Sequence, residues 1–185
     1  MLERFRSRTL KSTGGDPGSY IVTAKDSVSG EIAGIARFET IQHPPKTKEE
    51  MDRKYEEVTK SRRDEPHVAG VNEQLDEVFL RVIMYSEMET MAGNPYLVLN
   101  ILGIRPSWQR RGVGTTLLKY VLEKADRLGL PVYLDSGVSG KALYERFGFK
   151  VIGDVPLNCL DYGGEFTTSL RGSNEADTGL RLTPS

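Results

Sequence analysis

The 185-residue chain predicts a mixed α/β (α+β) domain, a sheet with helices on both faces. Three observations predict it. Tyr96 to Ile104, YLVLNILGI, is a nearly continuous apolar run, as suits a central strand buried on both faces. After Gly112, the residues Val113, Leu117, Leu118, Val121, Leu122, Ala125 and Leu128 recur at the helical period. SYIVTAKD (19–26) and EIAGIARFET (31–40) are rich in β-branched and apolar residues and flank the polar turn SVSG, a hairpin signal.

The other elements come in order. The N-terminal MLERFRSRTLK carries Leu2, Phe5 and Leu10 among arginines and reads as an amphipathic helix packed on the domain. Its Arg-rich flavour also resembles a mitochondrial transit segment, but Glu3 and its shortness argue against that. His43-Pro44-Pro45 ends the second strand of the hairpin. Met51, Tyr55 and Val58 then mark a charged helix with one narrow apolar stripe, from Thr47 to about Arg62. A second helix starts near Asn72, which suits an N-cap, and carries Leu75, Val78, Phe79, Val82 and Ile83. Met84, Met88 and Met91 extend it as core filling toward the turn Gly93-Asn94-Pro95. Gly103 inside the apolar run suggests a bulge or a close approach, and Pro106 ends the strand. Gly129 and Pro131 stop the long helix. PVYLDS is a strand, a glycine-and-serine loop comes next, and Ala142 to Phe147 is a short helix capped by Gly148. Phe149–Val155 and Glu165–Gly172 are the last strands, and 173–185 reads as a flexible tail. One domain, 1–172 with its core in 19–171, accounts for the chain.

Composition excludes several classes. A formal net charge of -1 does not support a nucleic-acid or anionic-membrane surface built on bulk charge. The single cysteine, Cys159, rules out an internal disulfide, and with only His43 and His67 a metal site is not expected. No apolar run approaches the roughly 20 residues of a membrane span. A cytoplasmic location is expected, with the mitochondrion as the alternative.

The chemistry concentrates in QRRGVGTTLL, Gln109 to Leu118. It lies between a buried strand and the start of a long helix. First-turn amides there have no internal partner, and the helix dipole adds positive charge. Missing side chains at Gly112 and Gly114 let an anion near the backbone, and Arg110 and Arg111 add charge at the rim, making a phosphate-binding corner. The plainer alternative is a tight strand-to-helix turn with solvated arginines. A P-loop fails for want of a lysine after glycine, and a GxGxxG fingerprint fails at Leu117.

ILGIRPSWQRRGVGTTLL resembles motif A of the GNAT superfamily of N-acetyltransferases, with Ile104, Pro106, Gln109, Gly112 and Gly114 in the pattern's places. KALYERFGF resembles the family's second segment through Leu143, Tyr144, Gly148 and Phe149. One helix and one strand separate the two, as in the family. The spacing is similar to that of fungal members.

The resemblance implies a mainly antiparallel sheet flanked by helices and acetyl-CoA as co-substrate, with no metal. Its pyrophosphate would rest on Gln109, Arg110, Arg111, Gly112, Val113, Gly114 and Thr115, and its pantetheine arm along Leu102, Gly103 and Ile104. A backbone amide there would polarise the thioester carbonyl. Tyr144 matches the family's general acid, and Asp135 lies where some members carry a carboxylate base. Ser136, Ser139 and Lys141 border the same loop. The implied acceptor is an amine of a small molecule or peptide, and the implied assembly a monomer or homodimer. The alternative is a module that binds acetyl-CoA without catalysis. In the family's terms MLERFRSRTLKS is the tail of a second helix, so the family's first strand and first helix are expected to be missing. The helices between Thr47 and Met91 are an addition, either a lid over the acceptor site or a cover for the sheet.

Overall fold

The computed structural model describes residues 5–11, 18–63, 72–158 and 167–174. Its strands are β1 (Phe5–Lys11), β2 (Ser19–Asp26), β3 (Ile32–Ile41), β4 (Tyr96–Ile104), β5 (Val132–Ser136), β6 (Lys150–Asn158) and β7 (Thr167–Asn174). Its α-helices are α1 (Lys48–Arg63), α2 (Glu73–Met91), α3 (Val113–Leu128) and α4 (Val138–Glu145). The seven strands form one sheet in the order β1-β2-β3-β4-β5-β7-β6. Among the described residues β4 and β5 are the one parallel pair, and the other pairs are antiparallel. The fold is thus the expected mixed α/β class, a mainly antiparallel sheet with helices on both faces.

Alternation along the strands divides the interior. Val22, Ala36, Phe38, Leu97, Leu99, Val132 and Leu134 face Val113, Leu117, Leu118, Val121 and Ala125 of α3 in the main core. Burying these faces removes large apolar areas from water, at about 25 cal/mol per Å². The opposite face holds Tyr96, Val98 and Tyr133, closed by Met91 of α2. Helices α1 and α2 form a pair joined by Arg62–Asp76 at 2.7 Å and by the Tyr55 and Tyr85 rings at 6.2 Å. Asn72 caps α2 by accepting the Leu75 amide at 3.0 Å. Of the three methionines expected as core, only Met91 is fully buried; Met84 and Met88 are half-buried.

The N-terminal segment departs from expectation. Phe5–Lys11 is a strand, not a helix, and pairs with β2 from Phe5↔Asp26 to Lys11↔Tyr20. Its sparse apolar spacing offers a helix little to bury, while the otherwise unpaired edge of β2 offers seven residues of backbone hydrogen bonding. The first strand, expected to be missing, is therefore present at the sheet edge. Helices α1 and α2 come after the β2–β3 hairpin.

Two smaller corrections concern the end of the chain. Helix α4 begins at Val138, so Ser139, Gly140 and Lys141 belong to it and not to a loop. Gly148 is not its cap residue, which is Arg146; Gly148 makes the left-handed turn beyond it, at φ +83°. Strand β7 runs to Asn174, two residues into the expected tail; Cys159, His67 and the tail from 175 lie outside the described residues.

Candidate functional site

The site is built around a gap in the sheet. β4 and β5 pair only at Leu97↔Val132 and Val98↔Tyr133. Beyond them the strands part, while β4 stays paired to β3 through Ile104↔Gly34. The β5-facing edge of 99–104 therefore presents peptide groups that no ladder to β5 uses, within reach of a ligand's amides. The bulge expected near Gly103 falls instead at Asn100, where the register shifts between Arg37↔Ile101 and Phe38↔Leu99. One extra residue reverses the facing of the rest of the strand. Leu102 and Ile104 thereby join the α3 face, and Ile101 is left 44% exposed. The strand is buried on both faces only over Tyr96–Leu99.

The glycine corner comes directly after the strand. Pro106–Trp108 is a single 3-10 turn, and Trp108 is buried in the main core. The Gln109 side chain donates to the Ile104 carbonyl at 3.5 Å, tying the turn to the strand end. Arg110 and Gly112 both have left-handed backbone, at φ +59° and +84°. Gly112 is the N-cap of α3, with no side-chain cap and no acidic residue in the first turn. The helix's first backbone bond runs from Thr116 to Gly112, so the amides of Val113, Gly114 and Thr115 precede it. A Cβ at Gly112 would meet nothing within 4 Å, so the ground outside that amide turn is open. A Cβ at Gly114 would stand 3.3 Å from Leu143, which sets how closely α4 approaches. Arg111 lies over the Trp108 ring at 5.3 Å, and both arginines are exposed. Oriented amides, a helix N-terminus and two cations with no acidic residue in the first turn make a corner whose electrostatics suit an anion.

Tyr144 and Asp135 flank the gap from opposite faces. Tyr144 is buried in the main core, its ring edge-on to Phe149 at 5.8 Å. No side chain among the described residues is bonded to its hydroxyl. Burial pushes the phenol up to about 12, so it keeps its proton throughout the neutral range. Ser136 is buried on the Tyr144 side and donates to the Gly137 carbonyl at 2.8 Å. Asp135 points the other way, toward α2, and accepts from the Tyr133 hydroxyl at 3.0 Å. Burial raises its carboxyl above the usual range, partly offset by that bond.

Four groups on the α2 side were not legible as site residues. Glu87 accepts from the Tyr96 hydroxyl, and the Tyr133 hydroxyl lies 3.5 Å from Ser86 Oγ. Burial pushes Glu87 up to about 7; the Tyr96 bond opposes this, and Asp135 and Glu39 add to it. A signal did exist. The α2 stripe of Leu75, Phe79, Val82 and Ile83 runs on into Ser86 and Glu87, polar residues where the period calls for apolar ones.

Among the described residues no cluster of metal-ligating side chains occurs, and no helix is long and apolar enough to cross a membrane. Residues 35–149 match the family model described as Acetyltransferase (GNAT) family, and the chain belongs to that family. Solved structures share the fold at low identity. Mosquito arylalkylamine N-acetyltransferase like 5b superposes with a TM-score of 0.61 at 18% identity, over 84% of this chain and 73% of that one. The Drosophila melanogaster polyamine N-acetyltransferase that forms N-acetylagmatine gives 0.60 at 18%, over 83% and 73%. Chaetomium thermophilum Naa20, solved with a bisubstrate analogue, gives 0.51 at 14%, over 88% and 71%.

Proposed function

We propose that this chain is an N-acetyltransferase that moves the acetyl group of acetyl-CoA to an amine of a small molecule or peptide by direct attack. The observation that carries the reading is the gap between β4 and β5 with the amide corner at its end and Tyr144 and Asp135 on its two sides. The corner suits a pyrophosphate: the open ground at Gly112 admits an oxyanion to the amides of 113–115, and Arg110 and Arg111 offset its charge. Leu102, Gly103 and Ile104 supply the strand edge for the pantetheine amides.

The chain's own groups divide the proton work. Asp135 removes a proton from the acceptor ammonium on the α2 side, which frees the nitrogen lone pair to attack the thioester carbon. A backbone amide of the β4 edge stabilises charge on the carbonyl oxygen. Tyr144 protonates the departing sulfur from the α4 side. A thiolate formed in the same enclosed ground suffers the same desolvation, so donor and acceptor are closer in proton affinity than their values in water suggest.

Calorimetric titration with acetyl-CoA, beside a Gly112→Val/Gly114→Val double variant, tests the corner. The expected result is binding by the wild type and its loss in the folded variant. A screen of 2-phenylethylamine, agmatine and a short peptide with a free N-terminus then tests transfer. Folded wild type that binds no acetyl-CoA overturns the reading; binding without transfer to any amine leaves a non-catalytic binding module.

A further inference from the structure

We propose that the bulge in β4 builds the seat for the acceptor amine: the Asn100 carboxamide and Asp135 hold its ammonium from the two lips of the gap, and Ile35 and Ile101 hold an apolar body in the notch over Gly103. The acceptor class is then a primary amine on an apolar, otherwise uncharged body, such as an arylalkylamine. The inference rests on the proposed acetyl transfer and names the substrate class for it.

The polar end of the seat follows from the register. Leu99 and Leu102 both lie in the α3-side core, with two residues between them along β4. Those two, Asn100 and Ile101, therefore both turn to the α2 face, and both are exposed. Val98↔Tyr133 is the last β4–β5 pair, and both of its side chains face α2. Two residues further along each strand stand Asn100 and Asp135, one on each lip of the gap and on that same face. The Asp135 carboxylate accepts from Tyr133, while the Asn100 carboxamide has no hydrogen-bond partner among the described residues. A primary ammonium has an N–H for each of them.

The apolar end lies further along the same face. Gly103 pairs with Ile35, and Ile101 with Arg37. A Cβ at Gly103 would stand 3.6 Å from Ile35 Cγ1 and 4.0 Å from Ile101 Cγ2, so the missing side chain leaves a hollow between two isoleucines. Ile35 and Ile101 remain 37% and 44% exposed, although β3 and β4 are interior strands of the sheet. Single exposed isoleucines are ordinary, but two that share one hollow in line with the gap form a surface for a ligand. From Asn100 to Gly103 is about 10 Å of strand, room for a ring on a short alkyl arm. Charge decides against a polycationic body. Arg37 shares the face beside Ile101, and the nearby Glu39 is already held by it at 2.7 Å. A second cation on the acceptor would meet the guanidinium, whereas a ring or alkyl chain covers the isoleucines.

The test is NMR of the isoleucine methyl groups in the full chain with coenzyme A, titrated with 2-phenylethylamine or agmatine, beside steady-state transfer from acetyl-CoA to each amine. The expected result is saturable shifts of the Ile35 and Ile101 methyls with 2-phenylethylamine, and a kcat/KM at least about tenfold above that for agmatine. Ile35→Glu, which sets a carboxylate beside the notch, should lower kcat/KM for 2-phenylethylamine and raise it for agmatine, a crossing that poor folding does not produce. Asn100→Ala should raise KM for 2-phenylethylamine roughly tenfold to a hundredfold, with coenzyme A affinity unchanged. Transfer without shifts at Ile35 and Ile101, or two rates that fall together in folded Ile35→Glu, overturns this proposal alone. An unchanged KM in folded Asn100→Ala overturns the part given to the carboxamide. Methyl shifts without transfer uphold the seat and overturn the acetyl transfer; neither shifts nor transfer overturns both.

Discussion

Gly140 lies against Tyr144, one turn on in α4: a Cβ at 140 would stand 2.9 Å from Tyr144 Cε2 and 2.7 Å from Ser136 Oγ. The absent side chain lets the last residue of β5 and the buried phenol approach each other at the gap. Gly140→Ala forces one of them away. Overpacking costs about 1–3 kcal/mol and the gain in helix propensity returns about 1, so a small net loss of stability is expected. Turnover should fall at least about tenfold, because proton transfer needs the phenol within hydrogen-bond reach. Chemical denaturation and steady-state rates measured on the same sample check both; full activity would show that the phenol's position is not critical.

Tyr144→Phe separates chemistry from packing. The ring contact with Phe149 survives, and no bond to the hydroxyl is lost among the described residues. Stability and acetyl-CoA affinity should stay near wild type, while kcat falls by about 10²–10⁴. With the phenol pushed up to about 12, no alkaline limb from Tyr144 is expected below about pH 10. Unchanged turnover across pH would remove Tyr144 from the reaction.

The two corner glycines should fail for different reasons. Gly112→Ala meets no neighbour but places a Cβ at φ +84°, at a conformational cost of about 1–2 kcal/mol. Gly114→Val is strained against Leu143 instead. Both should weaken acetyl-CoA binding. Replacing Arg110 and Arg111 by alanine should weaken it in a way that shrinks as salt is raised, since both cations are exposed. Calorimetry at two ionic strengths distinguishes the three effects; equal losses at both salts would deny the arginines an electrostatic role.

Glu87 carries a pH-dependent stability. Its folded carboxyl holds a proton up to about 7, against 4.5 for the ordinary group. The folded state thus binds more protons in that interval, and stability falls as pH rises through it. The penalty is absent below about pH 4.5 and complete above about pH 7, at an order of 1–3 kcal/mol. Glu87→Gln keeps an acceptor for Tyr96 and lacks the charge. Its melting temperature should exceed wild type by several degrees at about pH 8 and match it at about pH 4.5. Thermal unfolding at the two pH values decides this, and an equal difference at both would mean that charge burial is not the cause.

Much of the site was legible because its signals are short-range. The corner at 109–115 and the α3 stripe depend on spacings of one to four residues, and the structure puts the left-handed turn at Gly112 where the glycine pattern required special backbone. The N-terminal segment misleads for the opposite reason. Its helical pattern is weak, and its fate rests on an edge of β2 that no local window contains. The bulge at Asn100 is also hidden, because pairing with Phe38 and Arg37, far away along the chain, creates it.

By itself, then, the sequence determined the order of the central elements and the glycine turn before α3, from residue type and local period, and named Tyr144 and Asp135 as candidates through a motif resemblance. Only the tertiary structure decided that these two stand on opposite faces of a parted sheet. It alone brought Glu87 of α2 to the Tyr96 hydroxyl of β4, and turned the N-terminal segment into an edge strand. The physical reason is common to all three. Which groups meet across a sheet is set by long-range pairing and by the side from which a helix covers it, and the meeting of Ser86 with the Tyr133 hydroxyl leaves no periodic trace in the chain.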